Sequence, residues 1–417
     1  MSEFDTIAVL TTMAALFAWV NYRFFRLPTT IGLMVISLVL SVALVVLGRA
    51  GAGWVDPFVQ FVAAIDFDEA VLDGMLGALL FAGALHVSID DLVRQKGVIA
   101  LLATVGVMTS TTLVGVLTWL LFGWLGFAVP LIFCLLFGAI VSPTDPIAVG
   151  AILKRAGVPG ALFTKITGES LFNDGVGVVL FLLLLGLATG GATSAAGALE
   201  LFAIEVFGGL VFGAVIGWLA FQLLRSVDSY SVEILLTLAV VTGGYALAGH
   251  LHLSGPLAMV VAGLLLGNRG RALAMSETTR DRLDNFWELI DEILNAILFV
   301  LIGVEVVAVD LGPSVLFAGA LTIPIVLFAR WASVGLPVTA LRVVREFSPH
   351  TTTVLTWSGL KGGISVALAL SLPPGPYREL IVTAAYVVVC FSIIVQGLTV
   401  EPVVRRLLAS ERAHHVS

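Results

Sequence analysis

The chain has 417 residues, 59% of them hydrophobic and only 12% charged, with a formal net charge of −7. A soluble domain is on average about one-quarter charged, so this composition excludes a soluble globular enzyme and describes a polytopic membrane protein. The acidic balance gives no sign of a nucleic-acid partner. Cys134 and Cys390 each sit inside an apolar run and read as small buried hydrophobes, with no disulfide framework, metal spacing or cofactor motif around them.

Apolar stretches long enough to span recur thirteen times, near 5–25, 29–48, 69–87, 97–122, 128–152, 161–189, 198–225, 231–249, 255–268, 285–306, 313–341, 350–371 and 378–405. The first follows Glu3 and Asp5 instead of a basic stretch, so it reads as a span and not as a cleavable leader. Loop charges test the count. Loops after odd-numbered stretches, with the C-terminal tail, carry Arg23 and Arg26; Arg94 and Lys96; Lys154, Arg155 and Lys165; Arg225; Arg269, Arg271, Arg280 and Arg282; Arg342 and Arg345; and Arg405, Arg406 and Arg412. The opposite side has Arg49 and Arg378 alone. That asymmetry predicts an outside N-terminus and a cytoplasmic C-terminus.

Thirteen spans divide into two six-span halves joined by the seventh. Halves separated by an odd span have opposite orientation, the inverted-repeat plan of many secondary transporters. The plan predicts interrupted helices at matching places. Span 5 contains Ser142-Pro143-Thr144-Asp145-Pro146 and span 12 contains Gly359-Leu360-Lys361-Gly362-Gly363, each in the fifth span of its half. Two prolines remove backbone donors in one, and glycines permit unwound backbone in the other. Broken helix at membrane depth is tolerated only against protein or a wet cavity. Asp145 is suited to compensate the positive end of the half-helix that follows it, and Lys361 the negative end of a half-helix. The bland readings are a helix-capping aspartate and a lysine that snorkels to the interface.

Span 6 carries the chemistry. Glu169-Ser170-Leu171-Phe172-Asn173-Asp174 lies in an apolar run continuing to Leu187. Glu169 and Asn173 are four apart, as are Ser170 and Asp174, so a helix gathers them on one polar face. A charge at mid-bilayer depth costs roughly 2.5–3.5 kcal/mol even on the gentler insertion scale, so both carboxylates need partners or a task. Arg330, deep in span 11, needs a counter-charge. Pairing with Glu169 leaves Asp174 free to exchange ligands; Asp145 or a water channel are the other options for Arg330. Burial disfavours an ionised carboxyl and a nearby cation favours it, which would let Asp174 hold either a proton or a metal ion. Asp174, the Ser170 hydroxyl and the Thr144 region offer hard oxygens to Na+, with Asp145 and Asn173 beside them. One exchanging carboxylate predicts electroneutral one-for-one exchange.

Other polar groups read blandly. Asp281, Asp284, Glu288, Asp291 and Glu292 around the start of span 10 either concentrate cations or form a solvated helix start. Glu205, Glu233 and Glu305 read as scaffold or interface charges. His86, His250 and His252 lie near segment ends without ligand spacing.

These residues resemble the monovalent cation:proton antiporter-1 family, the NhaP-type sodium/proton antiporters. The resemblance rests on Arg26-Leu27-Pro28 with Ile31-Gly32-Leu33, Thr144-Asp145-Pro146, Glu169 through Gly175, Phe286-Trp287-Glu288 through Asp291-Glu292 to Asn295, Ala329-Arg330, and Gly359 through Gly363. It implies an all-α polytopic fold of about thirteen helices, in two inverted six-helix repeats with crossed discontinuous helices. It implies a homodimer in a bacterial-type plasma membrane. Residues 97–190 and 313–408 would move as the transport core against scaffold and dimer helices in 1–96 and 198–306, leaving 409–417 as a short cytoplasmic tail. It implies elevator-type exchange of Na+ or Li+ for H+ at Asp174, with Ser170 and Thr144 assisting, an ion pair of Glu169 with Arg330, and Asn173 as the mark of the electroneutral branch. Many members carry arginine where this chain has Lys361; the balancing charge is kept and the guanidinium fork is lost. A K+/H+ antiporter with the same site is the runner-up. A passive channel leaves the acid–arginine pairing without a cause, and an intramembrane hydrolase finds no His-Glu-x-x-His or Gly-x-Gly-Asp in this chain.

Overall fold

The computed structural model describes residues 3–63, 65–190, 195–271, 275–309, 312–343, 347–348 and 350–416. Arg345, counted in the charge balance above, lies outside the described residues. Among the described residues the regular structure is entirely helical. In chain order the helices are α1 (Phe4–Phe25), α2 (Thr29–Arg49), α3 (67–85), α4 (Ile89–Trp124), α5 (Leu131–Val141), α6 (Pro146–Ala156), α7 (Gly160–Ala188), α8 (Ala195–Leu224) and α9 (Tyr230–His250). There follow α10 (Gly255–Leu265, running through a π-turn to Gly270), α11 (Glu277–Val304), α12 (Pro313–Leu341), α13 (Thr351–Trp357), α14 (Gly363–Leu370) and α15 (Arg378–Phe391, continuing to 416). Among the described residues, eight helical runs are long and apolar enough to cross a bilayer. Large side chains such as Phe207, Val211, Trp218 and Leu336 point outward. That is the surface of a protein solvated by lipid, where water would penalise it. The protein is an all-helical, multi-pass membrane protein.

Two helices start earlier than hydropathy suggests. α4 begins at Ile89 instead of near 97, because the Ser88 hydroxyl accepts from the Asp91 amide at 3.3 Å and Asp90 and Asp91 suit the positive end of the first turn. Arg94 and Lys96 thus ride on helix. α11 begins at Glu277 instead of near 285, capped by Ser276, whose hydroxyl accepts from the Thr279 amide at 3.4 Å. A short helix, Asp56–Ala63, lies between α2 and α3. The turn from α1 to α2 explains part of the Arg26-Leu27-Pro28 motif. Arg26 takes a left-handed conformation, φ 55°. The Asn21 amide then clasps Leu27, donating to its carbonyl at 2.9 Å and accepting from its N–H at 3.2 Å. Gly32 leaves room for the Asn21 side chain.

Helices group by their packing. α4 lies along α5 and α12, α12 along α15, and α7 along α5 and the start of α4. Elsewhere α8 packs on α10, α10 on α3, and α2 on α11. A second apolar cluster built on Phe81, Leu224, Met259 and Trp287 holds α3, α8, α10 and α11 together. The Trp287 indole donates to Thr237 Oγ1 at 3.0 Å. Buried Glu233 ties the start of α9 to the start of α11, accepting from the Ser229 amide at 3.2 Å and from Thr279 Oγ1 at 3.3 Å. In the acidic cluster, Asp284 forms an ion pair with Arg271.

Candidate functional site

The two interrupted segments meet at their breaks. α5 ends at Val141 and α6 starts at Pro146; α13 ends at Trp357 and α14 starts at Gly363. The Asp145 amide donates to the Leu360 carbonyl at 2.8 Å, a main-chain bond between strips of chain that belong to neither helix. Backbone groups released by each break thereby satisfy one another away from water.

Charge is exchanged across the same crossing. The Lys361 ammonium donates to the carbonyls of Ser142 at 3.0 Å and Pro143 at 3.1 Å, at the carbonyl end of α5. Its own amide donates to Ser392 Oγ at 2.8 Å, where α15 takes a π-turn. Asp145 immediately precedes α6 and also stands against the start of α14: a Cβ placed on Gly362 would lie 2.5 Å from Asp145 Oδ2. Each break therefore sends a charge to the other interrupted helix, a cation to a negative end and an anion to a positive end. A glycine at 362 is needed because the carboxylate occupies the space of a side chain.

α7 passes this crossing unbroken. Gly177 lets it approach Pro143, whose ring fills the position a side chain would take. Its polar face then meets the first break. Asn173 accepts from the Thr144 amide at 3.2 Å, and its Nδ2 donates to Thr144 Oγ1 at 2.8 Å and to Glu169 Oε1 at 3.3 Å. The hydroxyls of Thr144 and Ser170 share a bond of 2.8 Å. Glu169, fully buried, receives a bidentate fork from Arg330: Nη1 to Oε1, and Nη2 to Oε2 at 2.8 Å. Nη2 also donates to the Leu355 carbonyl at 3.3 Å, the last turn of α13. The structure therefore joins Glu169 with Arg330, and gathers Asn173, Ser170 and Thr144 into one hydrogen-bonded cluster next to that pair.

Asp174 is 2% exposed and lies one residue beyond this cluster, on the wall of a small cavity. Pro143, Asp145, Gly362 and Ser365 line it from the crossing, and Leu76, Leu79, Leu80 and Gly83 from α3. Asp145 and Asp174 face one cavity; Thr144 and Ser170 stand behind it. The cavity also includes Asn295 of α11, which carries no special weight in the sequence beyond its place in a longer motif. Ser392 is a further participant without any signal in the sequence, a lone hydroxyl in an apolar helix. Among the described residues no group of three or more His, Cys, Asp or Glu is arranged to hold a metal. The polar side chains that line the cavity are instead the carboxyls of Asp145 and Asp174, the Asn295 amide and the Ser365 hydroxyl, which carry hard oxygen donors.

Residues 10–406 match the family described as sodium/hydrogen exchanger, transmembrane. The chain is 48% identical over 413 residues to the Na(+)/H(+) antiporter NhaP of Pseudomonas aeruginosa, covering 98% of this chain and 97% of that protein. It is 35% identical over 347 residues to the Na(+)/H(+) antiporter NhaH of Halobacillus dabanensis, covering 82% and 84%. In fold it is similar to the sodium proton antiporter MjNhaP1 from Methanocaldococcus jannaschii at pH 8, with a TM-score of 0.76, 19% identity and 98% of each chain covered. The family match over residues 10–406 and the near-complete overlap with the Pseudomonas protein agree with the all-helical membrane fold described above, and the chain belongs to the transmembrane sodium/hydrogen exchanger family, a family of transporters and not of enzymes.

Proposed function

We propose that the chain exchanges Na+ or Li+ for H+ across a bacterial-type plasma membrane, one for one, with cation and proton competing for Asp174. The observation that carries this reading is the division of labour between the two carboxylates of α7. Glu169 is held in a fork by Arg330, which fixes it in place. Asp174 faces the cavity. An occupant that trades a proton for a metal ion leaves the charge of the site unchanged, so empty and ionised protein has the least tendency to cross. Ser170 and Thr144 supply neutral ligands, and Asp145 and Lys361 balance the interrupted helices.

Alternating access is assigned to an elevator movement. The cavity lies between helices of two packing groups, α3 and α11 on one side and the crossing with α7 on the other. Movement of α4–α7 with α12–α15 past the remaining helices would carry Asp174 from one face to the other. The scaffold helices would also pair two copies, with the N-terminus outside and the C-terminus in the cytoplasm, as the basic loops indicate.

The experiment is recovery of a pH-sensitive dye in everted vesicles after adding Na+, Li+ or K+ in turn. Recovery with Na+ or Li+ is expected. Recovery with K+ alone would replace this reading by the K+/H+ one. Ser170→Ala should raise the half-saturating Na+ concentration by about three- to tenfold, the worth of one neutral contact, and change the maximal rate less. Electroneutrality is checked on a planar membrane, where no current should accompany exchange; a current that scales with transport refutes the one-for-one stoichiometry.

A further inference from the structure

The cavity wall opposite Asp174 is not wholly apolar. Asn295 of α11 lines it and is 4% exposed. Its amide nitrogen is committed to the Asp291 carbonyl at 2.8 Å, and its Oδ1 is buried with no hydrogen-bond partner. One turn earlier on the same face, Asp291 also has a buried, unpartnered Oδ1. An orphaned buried acceptor is costly and uncommon in a folded protein. Leucines stand at 294 and 298 on the same helix. A leucine at 295 would line the cavity without that cost, so helix packing alone gives no reason for an amide there.

We propose that Asn295 is a cation ligand supplied from outside the moving helices, the outer partner of Asp174 for a metal ion passing between it and Asp291. This rests on the antiport reading above. An amide oxygen is hard and neutral, and suits a small cation that has shed part of its water. It has no proton to trade, so it favours the metal over the proton at a site where the two compete. Asp174 and Asp145 belong to α7 and to the first break, whereas Asn295 belongs to α11. The extra oxygen is therefore within reach only while the two groups of helices stand as they do here. A cation arriving from the face at which α11 begins meets it, and a cation arriving from the other face does not.

The test is Na+ titration from each face separately, in proteoliposomes of known orientation at fixed pH. Asn295→Ala should raise half-saturating Na+ by about three- to tenfold on the face where α11 begins. The other face and the maximal rate should stay as in wild type. Asn295→Asp keeps an oxygen at the position and should hold the near-face value within about twofold of wild type. Asn295→Ser gives the same one-faced rise as alanine and carries the comparison where the alanine variant is not recovered folded. An equal rise on both faces, or none on either, overturns the proposal. Wild-type protein that exchanges no cation from either face overturns the antiport reading instead, and this inference with it.

Discussion

Asp174→Ala removes dye recovery for every cation, down to the level of vesicles without the protein. No neighbouring group can stand in. Glu169 is locked to Arg330, Asn173 is an amide engaged with Thr144 and Glu169, and Asp145 belongs to the crossing of the interrupted helices. Asp174→Asn gives the same loss, because an amide retains an oxygen for the metal and still takes up no proton. The loss should come with a folded protein. A carboxylate buried beside a cavity is a destabilising group, and its removal should leave the thermal transition in detergent unchanged or raised. Exchange that persists in Asp174→Ala would remove the basis of the mechanism. Loss of exchange together with loss of fold would instead assign Asp174 a structural part, which the cavity around it gives no reason to expect.

Arg330→Ala has the opposite character: its main damage falls on stability. It strands a fully buried carboxylate, Glu169, and removing one member of a buried pair costs about 3–5 kcal/mol. That is comparable to a large part of the stability of a typical domain, so yield in the membrane should fall sharply. The double variant Glu169→Leu with Arg330→Met replaces the pair by apolar groups of similar reach. It should recover most of the lost thermal stability, since apolar replacements of buried pairs are often neutral or stabilising. The comparison of single and double variants by thermal transition in detergent is a double-mutant cycle. An Arg330→Ala protein as stable as wild type, or a double variant worse than the sum of the singles, contradicts a structural pair.

The contrast between these two residues shows what was legible in the chain. Glu169 and Asp174 share one short helical segment, and the four-residue spacing of Glu169 from Asn173 and of Ser170 from Asp174 gathers the four on one polar face. Arg330 was legible because a permanent charge in lipid has few possible partners. The helical runs were legible from apolar length alone, and the early starts of α4 and α11 were not. The extra turns of those helices carry Asp90, Arg94, Arg280 and Asp284, so hydropathy reads them as loop although Ser88 and Ser276 cap them. What the chain could not disclose are contacts between segments more than two hundred residues apart. Asp145 precedes α6, and spacing alone assigns it to that helix; only the folded crossing brings its carboxylate against Gly362. The Lys361 charge was expected at a helix end, but its acceptors, the carbonyls of Ser142 and Pro143, lie in the other half of the chain. Asn295 is one more polar residue in a helix rich in acids until the cavity shows which atom it leaves unpartnered.

The bond from the Asp145 amide to the Leu360 carbonyl involves no side chain. Any residue but proline can donate from position 145, and every residue can accept at 360. Drift in the sequence can thus retune the ionic preference of the neighbouring side chains while the knot that holds both halves in register stays tied.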